Sequence, residues 1–550
     1  MNRYKKLTKF ALSLLTITAI ASCTKLNESL NSTLTSTEVA NTPGSTAGLV
    51  AAAYSDLGGL LHGQDQLFSL QENTSDESLV PTRGGDWDDN GVWRVLHSHT
   101  WNADHGQILN VFNNLNKLNF DATNVLLFKP TDAQAAEARF LRALALYNLL
   151  DLYGQYPFRE PGENLLNAPV VRTGAEGINF IISELNAILT ALPANNPVSK
   201  ATPDAARVLL MRCYLNKGAF LNRAAPTFDA ADLEKVVTIG NAIIASGKYS
   251  FTPNYFDNFS VDNDAKSKEA IFTYMNTSGV AANNGGIAAR WNMTLHYNSY
   301  TPNNPNAGWN GFSTISDFYS SFNTTAAATT FGPADTVLDR RLGGRFYAGA
   351  TDKSGLRPGF LVNQQYNENG VILHDRKWKP GVDPVNTHLL AYTPTIAANM
   401  IETGDNLEVT GIRVVKYVPD YANYGGPAGN DLMIFRYPDV FLMVAEARLR
   451  TGDDAGALTM VNQLRTARSS APLTSLPLVN TANVEDPKTL LAERGRELYW
   501  ESVRRTDLIR FGVYLKPWQY KPTDDAKNLL FPVPNQALAA NPNLKQNPGY

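Results

Sequence analysis

Apolar residues recur along this chain at three- and four-residue intervals in several separate stretches, and the clearest runs from Arg436 to Arg468. Val440, Phe441, Val444, Ala445 and Leu449 fall on one helix face, and Thr451-Gly452-Asp453 breaks the run with a glycine suited to a helix C-terminus. A second helix follows. Its apolar face is Ala457, Leu458, Val461 and Leu464, its first turn carries Asp453 and Asp454, and its end carries Arg465 and Arg468, charges that complement the helix dipole at both ends. The stretch reads as an antiparallel helical hairpin.

One amphipathic hairpin cannot bury its own face, so similar units are expected elsewhere in the chain. Residues 136–156 again open with Ala-Glu-Ala-Arg and end near Gly154, with a second helix expected over 177–192. A third unit pairs 204–218 with 233–246, closed by Gly247. Small residues at the crossings (Ala136, Ala205, Ala445) and a glycine closing each first helix are similar to tetratricopeptide pairs, with longer loops. The fold expected is mainly α: a helical-hairpin scaffold over 46–250 and 430–515. Between these lies a loop-rich insertion, 251–430, dense in Asn, Gly, Tyr and Trp, with short strands; a segment 516–550 follows the scaffold. Loops hung on a rigid frame are where binding groups tend to sit.

The N-terminus does not belong to that frame. Arg3, Lys5, Lys6 and Lys9 precede an apolar run from Phe10 to Ile20, and Ile20-Ala21-Ser22-Cys23 closes it, so residues 1–22 read as a signal peptide. The tetrapeptide resembles a bacterial lipobox, which implies acylation at Cys23 and a tether over 23–45, rich in Ser, Thr and Asn. An ordinary secretory peptide is the competing account. The apolar run is too short to span a bilayer, and no later stretch approaches the roughly 20 apolar residues that a spanning helix needs. Removing residues 1–22 takes away four basic side chains and no acidic ones, moving the formal charge from -3 to -7. That balance argues against nucleic acid or anionic lipid as the main partner. Cys213, in an apolar helical run, reads as a buried thiol.

Six of the eight tryptophans (87, 93, 101, 291, 309 and 378) lie outside the recurrent hairpins, in polar and glycine-rich surroundings. A flat indole covers the apolar C–H face of a sugar while short polar side chains bond its hydroxyls. The competing account is that each ring fills a gap beneath a long loop. The densest candidate is 81–101, PTRGGDWDDNGVWRVLHSHTW. Arg83 and Asp86 suit paired hydroxyls, Gly84 and Gly85 let backbone approach a ligand, and Trp87 and Trp93 supply faces. Three other chemistries fit parts of it. Asp86, Asp88, Asn90 and Gly91 match early positions of a calcium loop that ends on His97 instead of Glu. His97, His99 and His105 offer zinc ligands without a spaced cysteine or HExxH. Asp86, Asp88 and Asp89 offer carboxylates for glycoside hydrolysis, with nothing to set their separation. The sequence has no GxSxG elbow, no P-loop and no GxGxxG after a strand, which favours a binding protein over an enzyme.

Over nearly its whole length the chain resembles the SusD/RagB nutrient-uptake lipoproteins of Gram-negative outer membranes. The resemblance is carried by Cys23, Ser75-Asp76-Glu77 with the 81–101 segment, and the Leu-Tyr-Gly-Gln-Tyr-Pro-Phe ending at Phe158. Further on it includes Phe435-Arg436-Tyr437-Pro438, Glu493-Arg494-Gly495-Arg496-Glu497-Leu498 and Arg504-Arg505-Thr506-Asp507. The closing Leu530-Phe531-Pro532-Val533-Pro534 and Gln546-Asn547-Pro548-Gly549-Tyr550 are its most specific piece. The resemblance implies about four tetratricopeptide-like pairs in a non-enzymatic, glycan-binding protein that is lipid-anchored at the cell surface. Its implied partner is a SusC-like TonB-dependent transporter, which receives the oligosaccharide. It implies ligand contacts at Arg83, Asp86, Trp87 and Trp93, with Trp291, Tyr297 and Trp309 from the insertion. No cofactor is expected, a structural calcium being the one candidate. The alternative is a docking lid for a peptide or other nutrient transporter, with no sugar site of its own. Glu493, Arg496, Glu497, Arg504 and Asp507 are spaced for structural ion pairs.

Overall fold

The computed structural model describes residues 45–280, 283–299, 308–322, 339–343, 358–366, 371–420, 422–423 and 427–550. The signal segment, Cys23 and most of the tether lie outside the described residues. Eight long helices pack in chain order: α1 (Ser45–Leu61), α2 (Gly106–Val125), α3 (Asp132–Tyr153), α4 (Gly174–Ile188), α5 (Pro203–Leu221), α6 (Ala230–Ala245), α7 (Tyr437–Arg450) and α8 (Asp454–Ala467). Each packs on the next, from α1 against α2 through α7 against α8, although about 190 residues separate α6 from α7 in sequence. The scaffold is thus four tetratricopeptide-like pairs. Its first pair, α1 with α2, was not among the expected hairpins, because Ala and Gly dilute the stripe of α1 and six asparagines interrupt α2. Even so Ile108, Val111, Phe112, Leu115 and Leu118 of α2 face inward at helical spacing.

The helix ends follow local chemistry. Thr131 and Gln134 form a reciprocal cap at the start of α3, and Gly154, at φ +70°, closes it in the left-handed conformation that glycine adopts freely. Gly452 does the same just past α7. Gly218 departs from the expectation that a glycine closes each first helix. Helix α5 runs on to Leu221, and Gly218 makes room for the carbonyl of Thr227, which a β-carbon would strike. Cys213 of α5 is buried, and burial pushes its thiol pKa up.

The insertion is loops and two-stranded pairs, as expected. Ala270–Tyr274 runs antiparallel to Leu432–Arg436, tying the start of the insertion to the entry of α7. Gly359–Leu361 pairs with Arg413–Val415, and Thr82–Arg83 lies parallel to Ile401–Glu402. The last pair brings an early loop against the insertion across more than 300 residues of chain. Two short helices, α9 (Leu490–Leu498) and α10 (Arg504–Arg510), follow the scaffold. All nine residues of α9 are buried, charged ones included. The C-terminal residues close over α3: Asn547 donates its amide to the carbonyls of Tyr153 (3.0 Å) and Phe531 (2.6 Å).

Candidate functional site

The early loop turns sharply at Trp87, Asp89, Asn90 and Gly91, all with positive φ, and so leaves Asp86 exposed while laying the Trp87 ring across the insertion. The Trp87 indole N–H donates to the carbonyl of Trp309 at 2.7 Å. Its ring meets Trp93 edge to face at 5.3 Å between centroids and Phe312 at 5.4 Å. Gly311 permits this approach, since a β-carbon there would lie 2.3 Å from Cε2 of Trp87. Trp87 thus lies against the backbone of Trp309, and both residues are half-buried.

Tyr297 completes the surface. Its hydroxyl donates to Asp86, and the Arg376 guanidinium lies 4.0 Å above its ring. Burial, then the hydrogen bond to Asp86, pushes the Tyr297 pKa up to about 12, so the phenol stays protonated near neutral pH. Arg376 is positioned from behind by Glu408, which accepts from its Nε at 3.0 Å and from its backbone N–H at 2.9 Å. Glu408 also takes a 2.6 Å contact from buried His296; burial pulls the Glu408 pKa upward, but His296 and Arg376 outweigh it and hold it at about 2. Trp378 stacks on His374 at 3.9 Å, and the His374 carbonyl accepts from the Asn298 amide at 3.0 Å, which ties that ring to the same wall. Sequence reasoning did not place Arg376, Trp378 or Glu408 in the site. They lie some 80 to 110 residues from Tyr297 in sequence and show no motif.

Three expected ligand residues face inward instead. Arg83 is buried and spends its guanidinium on the loops, donating to the carbonyls of Thr410 (2.9 Å) and Leu407 (3.2 Å) and to the hydroxyls of Thr410 (3.0 Å) and Ser313 (3.2 Å). It is a brace joining three segments. Trp93 is 4% exposed, with its indole N–H on Asp89 at 2.7 Å, and Trp291 is 0% exposed. Both rings fill space beneath the platform, and neither presents a face outward.

The alternative chemistries of this segment meet scattered partners. Asp86 takes the Tyr297 hydroxyl, Asp88 pairs with Arg94 at 3.1 Å, and Asp89 accepts from Trp93. His97 lies between the carbonyls of Ser78 and Gln519, His99 contacts Asp524 and the Thr74 carbonyl, and His105 meets the Val92 carbonyl. Among the described residues, no three His, Cys, Asp or Glu side chains gather as a metal site would need. What Asp86, Trp87, Tyr297, Trp309 and Arg376 do form is an open platform, with ring faces beside a carboxylate and a guanidinium. That pattern offers apolar cover for a ligand's C–H face and two hydrogen-bonding arms for its hydroxyls.

The model of the SusD family matches residues 246–550, more than half of the chain, and the chain belongs to that family. It is 26% identical over 525 residues to the starch-binding protein SusD of Bacteroides thetaiotaomicron, covering 89% of this chain and 88% of that protein. The fold matches a SusD superfamily protein from Parabacteroides distasonis with a TM-score of 0.66 at 17% identity, covering 94% of this chain and 100% of the other. It also matches surface glycan-binding protein A from Bacteroides uniformis, with a TM-score of 0.63 at 18% identity and coverage of 92% and 99%.

Proposed function

We propose that this protein is a glycan-binding lipoprotein of the outer membrane that captures oligosaccharide and passes it to a SusC-like TonB-dependent transporter. One observation carries the capture step: Trp87, Tyr297 and Trp309 are half-buried together around the exposed Asp86, from chain segments more than 200 residues apart. An open platform suits a chain laid across it, in contrast to the deep enclosure that a small substrate needs for chemistry. The relatives' names agree, one being a starch-binding protein and another a surface glycan-binding protein. Acylation at Cys23 supplies the anchor, and the family supplies the expectation of a barrel partner. The proposed action is binding, without hydrolysis: Asp88 pairs with Arg94 and Asp89 accepts from Trp93, which leaves Asp86 as the one carboxylate of the three turned to a ligand, without a second to complete an acid–base pair.

The test is a glycan array followed by calorimetry on the purified protein. Binding of at least one oligosaccharide series is expected, lost in a Tyr297→Ala, Trp309→Ala variant that melts like the parent. Failure of every neutral and acidic oligosaccharide at millimolar concentration would end the proposal.

A further inference from the structure

The hairpin of Gln155–Phe158 and Val170–Thr173 carries a loop, residues 159–169, that is tightly held and yet turns its aliphatic side chains outward. Arg159 donates to the carbonyls of Asn164 (3.0 Å), Leu165 (3.4 Å) and Asn167. The Asn164 side chain accepts from the Leu166 N–H at 3.0 Å, and its carbonyl accepts from the Asn167 N–H at 3.1 Å. Leu165 is nevertheless 64% exposed and Leu166 92% exposed. Val170 on the next strand, Phe120 on α2 and Leu127 just past its end are exposed too. Gly162 packs against Leu127, where a β-carbon would sit 3.5 Å from Cδ2, so loop and helix end form one surface. It borders a groove of about 770 Å³ between α2, the loop and residues 536–544. An ordered patch of solvated leucines, valine and phenylalanine marks a contact surface.

The point where the chain enters the body says what meets that surface. The Thr46 hydroxyl donates to the carbonyl of Phe128 at 2.8 Å, one residue from Leu127. Only 21 residues lie between Cys23 and Ser45, a reach of at most about 75 Å whatever path they take. The charges nearby do not favour an anionic headgroup: Glu160 and Glu163 are exposed on the loop, and Arg159 is spent on loop carbonyls. We infer that the face formed by Leu165, Leu166, Val170, Leu127 and Phe120 rests against the lipid surface, its leucines entering the acyl boundary. This inference depends on the proposed acylation of Cys23. The anchored body is then held in one orientation instead of swinging freely, with an apolar contact insensitive to salt.

The test uses the acylated full-length protein on zwitterionic phosphatidylcholine vesicles carrying brominated acyl chains as a fluorescence quencher. Cys213 is buried and Cys23 acylated, so a thiol dye on Leu166→Cys or Leu127→Cys reports one position, and Val382→Cys, at 74% exposure, is the control. The expected result is about twofold quenching at 166 and 127, unchanged by salt, with none at 382. Adding Leu165→Glu and Leu166→Glu should release the dye at 127 without altering melting. Vesicle-bound protein with an unquenched dye at 166 overturns the inference alone. Protein that mass spectrometry shows unacylated and that stays off vesicles overturns the anchoring reading, and the inference falls with it. Shielding at 166 only in outer membranes that hold the transporter would mark a protein interface, and would also overturn it.

Discussion

The ionic core around α9 and the platform around Asp86 are built from the same residue types, arginine, carboxylate and aromatic ring, to opposite ends. In the core, Glu497 accepts from Arg436 (2.6 Å), Arg468 (2.7 Å) and Arg341 (3.1 Å), and Glu493 accepts from Arg341 (2.8 Å), Arg465 (2.6 Å) and Arg496 (2.6 Å). Beside them, Asp507 pairs with Arg494 and Arg510, and Arg504 with Asp76, so the expected ion pairs form and are buried. Glu497, Glu493, Asp507 and Asp76 are each paired with arginine and sealed from solvent. On the platform, Asp86 has a tyrosine hydroxyl and open solvent, and Arg376 has one carboxylate partner and an exposed face. Residue type alone therefore says little about role. Saturation and burial separate a framework charge from one free to meet a ligand.

The largest effect should come from breaking the core. Glu497→Ala leaves three buried guanidiniums short of a partner, and a loss of about 3–5 kcal/mol is expected, read as a large drop in melting temperature. A platform substitution of equal chemistry, Asp86→Ala, should leave melting nearly unchanged.

Acid should find the same contrast. Burial pulls the pKa of Glu497 and Glu446 upward, but arginines overcome it, Arg468, Arg436 and Arg341 for the first and Arg510 and Arg450 for the second, holding each at about 2. A carboxylate whose folded pKa lies below its unfolded value of 4.5 lends stability above that value, and the stability is lost as pH falls through the folded pKa. Melting temperature should hold from pH 7 to about 5 and fall steeply towards pH 2. A flat profile down to pH 3 would contradict the saturated core.

Platform substitutions should act on binding and spare the fold. Tyr297→Ala is expected to weaken oligosaccharide binding about tenfold by calorimetry, through lost ring cover and a lost brace on Asp86. Tyr297→Phe keeps the ring and removes only the hydroxyl, so a smaller loss, about 1 kcal/mol or less, is expected. Equal losses in the two would assign the site to the hydroxyl and not to stacking. Trp291→Phe should leave affinity unchanged, because that ring faces the interior.

The helical scaffold was legible because apolar residues at helical spacing run for several turns at Val440–Leu449 and Ala136–Tyr153, although both helices prove to be buried on nearly every face and not along one stripe. The platform was only half legible. Trp87 and Trp93 lie six residues apart in the same Asp-, Asn- and Gly-rich surroundings, yet one ring stays half-exposed and the other is sealed. Phe312, more than 200 residues away, packs against both at 5.4 Å, and nothing near positions 87 and 93 announces that contact. Arg83 was read as a ligand residue because a glycine-rich loop is a natural place for one. Its actual acceptors, at Thr410, Leu407 and Ser313, leave no trace near position 83.

By itself the sequence determined the mainly helical frame, six of its eight long helices to within about four residues at each end, the segments that depart from it and the pairing chemistry of its C-terminal charges. These depend on side-chain spacing within one helix, or on residue types that allow few other uses. Only the tertiary structure decided which rings face outward, that Arg376, Glu408 and Trp378 join Tyr297, and that Arg83 and Trp291 do not. Exposure is settled by packing between segments far apart in the chain, and no local pattern encodes it.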